Sequence, residues 1–472
     1  FYHPDKDITS FFDNDFEVAE SSSRISKSIS LNFSGFRRLK SLTHRFESFG
    51  YCEMFQRMLS LEDLTVQKAL NDLILTDKII LPTNHRNRFQ VYFEGKKLSE
   101  KLGFNHLVLT PMTICAGKTD LNVPEIELFR TYTQIVTIDG SRVVFEKSRN
   151  KFIDLSIKYH VQLVENRMPN RLAMKSLESI KKMNLEEFFT TFKSSLVKCE
   201  KKHFGNNLEK LECCNPSIAT NPSQFKAVEH IINRTSFPSP YVVFGPPGTG
   251  KTSTLVEAIA QIVKLQPSAK VLVTANSNAA CDEIGERLLK FIPRYKMYRL
   301  YSPSFDISFP DRHMRLHPML KHISNMKNEI NCYPSYEEFF SYNVIISTLI
   351  NCGRIITADV SPSHFDYIFI DECASTIEPF SIIPIALLGA ENAKVTAQVI
   401  LAGDHKQLQG MVHSYFNEKH GFGISLMERV MMLENYQHPY DPRYVTQLTD
   451  NFRSHWAILK FSNNRFYHSV LR

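Results

Sequence analysis

The nine cysteines of this 472-residue chain form no CxxC pair and follow no regular spacing. Cys213 and Cys214 are adjacent and the rest are scattered. That argues against a disulfide framework or a zinc site; the expectation is reduced thiols in a cytosolic or nuclear protein. No apolar run approaches the roughly 20 residues that span a bilayer, and no secretory signal is seen. An initiating methionine is also missing, because the first residue is Phe1, so a piece of a longer chain is expected. Excess charge is small. The 56 Lys and Arg against 49 Asp and Glu leave +7, compatible with a polyanionic partner without requiring one. What is present, 43% hydrophobic and 22% charged residues, is ordinary for a soluble protein with room for two or three domains.

Composition shifts along the chain. Residues 1–45 read as a weakly ordered tail split by charge. Phe1 to Glu20 holds six acidic residues against one lysine, and Ser21 to Arg45 holds six Lys/Arg and no acid. Over 46–170 the pattern is of short β-rich runs, among them Asp77–Pro82, Phe89–Phe93, Leu107–Thr110, Gln134–Ile138 and Arg142–Phe145. Such runs predict a small barrel or sandwich. The basic clusters between them, His85–Arg88 and Lys147–Lys151, suit phosphate contacts or solvated loops equally well. Residues 171–210 read as a helical stalk. From 211 to 472, buried-looking strands alternate with helices, which predicts an α/β domain with a parallel sheet.

The chemistry lies in that last region. Tyr241–Phe244 is apolar and leads into Gly245-Pro246-Pro247-Gly248-Thr249-Gly250-Lys251-Thr252-Ser253, followed by apolar residues at helical spacing. A strand, a glycine-rich turn and a helix N-terminus form a phosphate cradle. Backbone N–H groups converge on a triphosphate, Lys251 neutralises the β- and γ-phosphates, and Thr252 ligates Mg²⁺. Asp371-Glu372 closes the strand Tyr367–Asp371, 120 residues after Lys251 (371 minus 251). There Asp371 is expected to hold the metal and Glu372 to activate the attacking water.

Gly403-Asp404-His405-Lys406-Gln407-Leu408 ends the next strand, where the Gln407 amide can report a γ-phosphate. Hexameric AAA⁺ ATPases share the cradle but carry a different polar sensor at this place. Arg453, in Thr449-Asp-Asn-Phe452-Arg453, would face the γ-phosphate, and Phe452 offers a stacking face for adenine. Gln224 suits the adenine edge because an amide is donor and acceptor at once. Asn276-Ser277-Asn278 and Ser347-Thr348 follow two strands. They suit sugar-phosphate contacts on a single strand, although alone both segments read better as helix caps.

Together these residues resemble superfamily 1 RNA helicases of the branch that includes the nonsense-mediated-decay helicase. Asn166–Arg171, Asn215–Ile232 and Pro240–Ile259 are most similar to the Armitage, silencing-defective and Mov-ten type. The resemblance is strong from about residue 160 onward, weak over the barrel and absent in the tail. It implies a RecA-like P-loop domain preceded by a β-barrel accessory domain that helps to clamp RNA. It also implies ATP and Mg²⁺ as cofactors and 5′-to-3′ translocation on single-stranded RNA with duplex unwinding. The expected setting is cytoplasmic gene silencing, including ribonucleoprotein granules, with Argonaute or Piwi partners; no membrane association and a monomer are expected. The sequence departs from the family pattern at Cys373, usually Ala, at Phe452, commonly Tyr, and at the lone Trp456, usually Pro. The family also carries a second RecA-like domain, which this stretch lacks. An ATP-gated RNA scaffold without motor activity and a DNA helicase are the alternative readings.

Overall fold

A computed structural model describes residues 50–85, 87–94, 98, 104–112, 130–147, 152–199, 211–302, 318–327, 330–390 and 392–472. The tail expected at 1–45, Arg86, and residues 148–151 and 200–210 of the basic and stalk readings lie outside them. The described residues form two units.

The first unit comprises residues 58–170 with 413–417. Its strands are β1 (Leu75–Ile79), β2 (Leu81–Pro82), β3 (Arg88–Tyr92), β4 (Phe104–Pro111), β5 (Thr131–Asp139), β6 (Arg142–Lys147) and β7 (Lys158–Glu165). They make one antiparallel sheet in the order β1-β7-β4-β5-β6-β3-β2. The two edge strands are consecutive in sequence, so the sheet curls until it is nearly a closed barrel. Alternation builds its interior: along β7, Tyr159, Val161 and Leu163 are buried while their neighbours are not.

The sequence reading missed a 21-residue helix, α1 (Tyr51–Asn71), where it expected β-rich runs. Its period is helical. Val66 and Leu70, four apart, put one stripe into the core with Phe93, Leu107, Val143, Phe145 and Val161. The 413–417 segment belongs here because Glu62 of α1 accepts N–H groups from His413 and, at 3.1 Å each, from Ser414 and the Asn417 amide.

The second unit holds 171–412 and 418–472 with the first turns of α1. Seven strands form a parallel sheet: β8 (Tyr241–Phe244), β9 (Val271–Ala275), β10 (Met297–Leu300), β11 (Val344–Thr348), β12 (Tyr367–Asp371), β13 (Gln398–Gly403) and β14 (Val445–Gln447). Their order is β10-β11-β9-β12-β13-β8-β14. Five were legible as apolar runs. The edge strands β10 and β14 were not, because each carries polar residues. Arg299 in β10 is fully buried, and it is tolerated because Asp282, Asn278 and the Leu300 carbonyl take its N–H groups at 2.7–3.0 Å.

Helix α2 (Met168–Lys182) and helix α3 (Glu186–Thr191), expected as a stalk, pack into this unit. Leu172 presses so closely on Gly353 that an added Cβ there would meet it at 2.7 Å. Registers such as Ala275 with Thr348, Ala275 with Asp371 and Gly403 with Phe244 align the carboxyl ends of the central strands. The loops leaving those ends share one edge of the sheet, where α/β folds bind ligands.

Candidate nucleotide site

The cradle leaves the end of β8 and turns into helix α5 (Lys251–Leu265), whose residues Thr254 to Val263 are all buried. Two of its glycines are required on steric and dihedral grounds. Gly248 (φ +87°) and Gly250 (φ +84°) sit in the left-handed region, and an added Cβ would reach Arg453 Cβ at 2.6 Å and Gln224 Nε2 at 2.3 Å respectively. Thr249 locks the turn by donating its hydroxyl to the Pro246 carbonyl at 2.8 Å. The Lys251 ammonium points into the curl of the loop, where it donates to the carbonyls of Gly245 at 2.7 Å and Pro246 at 3.3 Å.

At the tip of β12, Asp371 is buried and accepts the Thr252 hydroxyl at 2.9 Å. Its other oxygen accepts the Glu372 N–H at 2.9 Å. Burial and the neighbouring Glu372 carboxylate push Asp371 up to about 6, while hydrogen bonds from Thr252 and the Glu372 N–H and the charge of Lys251 act the other way. A hydroxyl and a carboxylate at this separation are hard oxygen donors that fit Mg²⁺, which would relieve that cost. Glu372 itself has φ +54°, a conformation rare for a residue with a side chain. Strain of that kind persists where surrounding structure enforces it, typically at functional positions.

Three further segments reach the loop. Gln224 lies in the first turn of helix α4 (Pro222–Ile232), which Asn221 caps by accepting the Gln224 N–H at 3.1 Å. The Gln224 amide nitrogen donates to the Gly250 carbonyl and to the Thr254 hydroxyl, both at 3.2 Å. Both amide hydrogens are thereby used, and the carbonyl oxygen is the part left to meet an adenine amino group. Asn451 ties the Phe452–Arg453 segment to the loop through the Pro247 carbonyl at 2.8 Å, and the Phe452 N–H donates to the Gly248 carbonyl at 2.8 Å. Phe452 is 68% exposed, available for stacking. Gln407 follows β13, and its amide nitrogen donates to Asp404 at 2.5 Å.

Gln224, Pro247, Gly248, Gly250, Lys251, Thr252, Ser253, Glu372, Gln407, Phe452 and Arg453 thus line one cleft of about 710 Å³. Gly245, Pro246 and Thr249 shape the loop behind it, and Asp371 stands behind Thr252. Four lining residues escaped the sequence reading: Ser217, Ile218, Glu283 and Arg287. Arg287, on helix α6 (Asn278–Leu288), donates to the Ser253 hydroxyl at 2.8 Å and pairs with Glu283 one turn earlier. Nothing but its helical spacing from Glu283 marked it.

The candidate nucleic-acid residues divide. Asn276 and Ser277 are exposed after β9, and Ser277 caps α6 by accepting the Ala280 N–H at 3.1 Å. Asn278 is occupied by Arg299 at 2.9 Å. Thr348 is half-buried at the end of β11. Ser347 must be corrected: it is fully buried, donates to the Leu300 carbonyl at 3.3 Å and accepts from Asn351 at 3.1 Å. Its strand is covered on both faces, so the Ser347 side chain lies within the fold.

A family model described as an AAA domain matches residues 219–338 and 320–415. The helicase mov-10-B.1 of Danio rerio is 33% identical over 438 residues, 89% of this chain and 40% of the relative. The helicase MOV-10 of Gallus gallus is 34% identical over 357 residues, covering 73% and 36%. The RNA helicase Mov10l1 of Homo sapiens is 31% identical over 273 residues, covering 56% and 21%. The chain spans two fifths or less of the length of each.

Proposed function

We propose, for a chain whose homologues are the Mov10, Mov10l1 and armitage RNA helicases, that the cleft hydrolyses ATP to drive movement along single-stranded RNA. One observation carries this reading: a lysine, a glutamate, a glutamine and an arginine, each suited to one part of a triphosphate, surround the same cleft as the Thr252–Asp371 pair. The helix α5 N-terminus and Lys251 would hold the phosphates. Thr252 and Asp371 would hold Mg²⁺, which would supply positive charge to the phosphates. Glu372 would orient and deprotonate the attacking water, and Arg453 would offset charge developing on the γ-phosphate. Gln224 and Phe452 would select adenine by its amino edge and its face. Asn276, Ser277 and Thr348, at the ends of adjacent strands, would meet the sugar-phosphate chain.

Polarity of 5′ to 3′, a part in cytoplasmic RNA silencing, and Argonaute- or Piwi-type partners belong to the same proposal and are supported by the motif resemblance. The test is a pair of substitutions. Lys251→Ala should abolish ATP binding, and Glu372→Gln should retain ATP and RNA while slowing hydrolysis at least a hundredfold, the order lost with one catalytic group. Normal turnover by Glu372→Gln would remove Glu372 from its role. Duplexes with 5′ or 3′ overhangs then decide polarity.

A further inference from the structure

Asp404 directly follows strand β13 on the way to Gln407, and it is 4% exposed. One of its carboxylate oxygens accepts the Lys406 N–H at 3.1 Å. The other accepts two donors at once: the Gln407 amide at 2.5 Å and the Tyr467 phenol at 2.8 Å. Tyr467 lies just after helix α7 (Trp456–Phe466) and is itself buried. Its ring packs 6.0 Å from that of Phe244, the residue immediately before the cradle, and the His405 ring packs 4.7 Å from Phe244 on its own account. Burial and the Asp404 carboxylate both push the phenol above its usual range, so it stays a donor. Tyr467 does not line the nucleotide cleft, whereas Gln407 does.

A side-chain amide bound to Asp404 cannot at the same time donate that hydrogen to a γ-phosphate. To turn that hydrogen, and not the amide's second one, toward the nucleotide, Gln407 must release Asp404, and a buried carboxylate stripped of its side-chain donors is costly. A second donor on the same oxygen keeps Asp404 satisfied when the first one leaves. We propose that Tyr467 is a positioning residue that sets the ease with which Gln407 exchanges Asp404 for the γ-phosphate, and thereby sets discrimination between ATP and ADP. The inference rests on the ATP-cleft reading above and assigns to it a residue outside the cleft. A ligand shifts such an equilibrium only by its differential affinity for the two arrangements, so the effect is confined to nucleotides bearing a γ-phosphate.

The experiment is nucleotide affinity of the 472-residue chain, measured with fluorescent ADP and a fluorescent non-hydrolysable ATP analogue. The proteins are wild type, Tyr467→Phe, Gln407→Ala and the double variant, with Lys251→Ala as a control. Tyr467→Phe removes one hydroxyl and keeps the ring packing. It is expected to weaken the ATP analogue about tenfold, the effect of one hydrogen bond, while ADP affinity stays within about twofold. In the Gln407→Ala background the same change should leave the analogue-to-ADP ratio unmoved. Equal weakening of both nucleotides would assign Tyr467 a packing role only and overturn the proposal, as would an unchanged ratio in Tyr467→Phe. Wild-type affinity in Lys251→Ala would instead overturn the cleft reading itself, and the role of Tyr467 with it.

Discussion

Gly250→Ala tests the cradle where its geometry is least forgiving. A side chain at φ +84° costs about 1–2 kcal/mol for leaving the right-handed region. The new Cβ would also stand 2.3 Å from Gln224 Nε2, far inside contact distance. Gln224 must swing away and lose its bonds to the Gly250 carbonyl and the Thr254 hydroxyl, each contributing about 0.5–1.5 kcal/mol. Taken together the substitution works against the binding-competent loop by about 2–5 kcal/mol, so ATP affinity should fall about a hundredfold or more. A fluorescent-nucleotide titration reads this directly. The second arm is Gln224→Ala/Gly250→Ala. With the obstructing amide gone only the dihedral cost persists, so relative to Gln224→Ala the added loss should shrink to about tenfold. Affinity within threefold of wild type for Gly250→Ala, or a double variant that recovers nothing, would show that the loop and Gln224 are not coupled in this way.

Two further outcomes follow from buried charge. Arg429 grips Glu378 through Nε at 2.8 Å and Nη2 at 2.7 Å and donates to the Phe189 and Thr190 carbonyls at 2.8 and 3.1 Å, while the Tyr51 phenol donates to the same glutamate. Arg429→Ala should cost about 3–5 kcal/mol, since it strands a buried carboxylate, and lower the midpoint of thermal unfolding on the order of 10 °C. Replacing Arg429 and Glu378 together by methionine should cost much less; equal costs would contradict the pairing. In the barrel unit, Glu165 has a buried oxygen with no hydrogen-bond partner, and burial together with Asp63 and Glu62 pushes it up to about 7. A folded-state carboxyl raised above its unfolded value holds its proton longer. Its contribution to stability is therefore present at acid pH and lost as pH rises from about 4.5 to about 7. Glu165→Gln should raise the melting temperature at pH 8 and leave it nearly unchanged at pH 5; equal shifts at both would exclude titration of Glu165 as the cause.

The nucleotide chemistry was legible because it is local. A phosphate cradle needs glycines, a lysine and a hydroxyl within nine consecutive residues, and the paired carboxylates need only the end of an apolar strand. Buried parallel strands such as Val271–Ala275 and Tyr367–Asp371 likewise announce themselves, being apolar on both faces. Helix Tyr51–Asn71 carried a readable period and was still missed, because the β-rich runs that follow it set the expectation for the whole stretch. What tertiary structure alone decided are relations between residues far apart in the chain. Ser347 looks polar and available in sequence, but the parallel pairing of Val344–Thr348 turns its hydroxyl inward. Arg287 enters the cleft because its helix packs beside the one that begins at Lys251. Tyr467 meets Asp404 across 63 positions. Spacing along a chain encodes which residues share one turn of backbone; which side chains meet across turns depends on packing, and packing is set by the whole core at once.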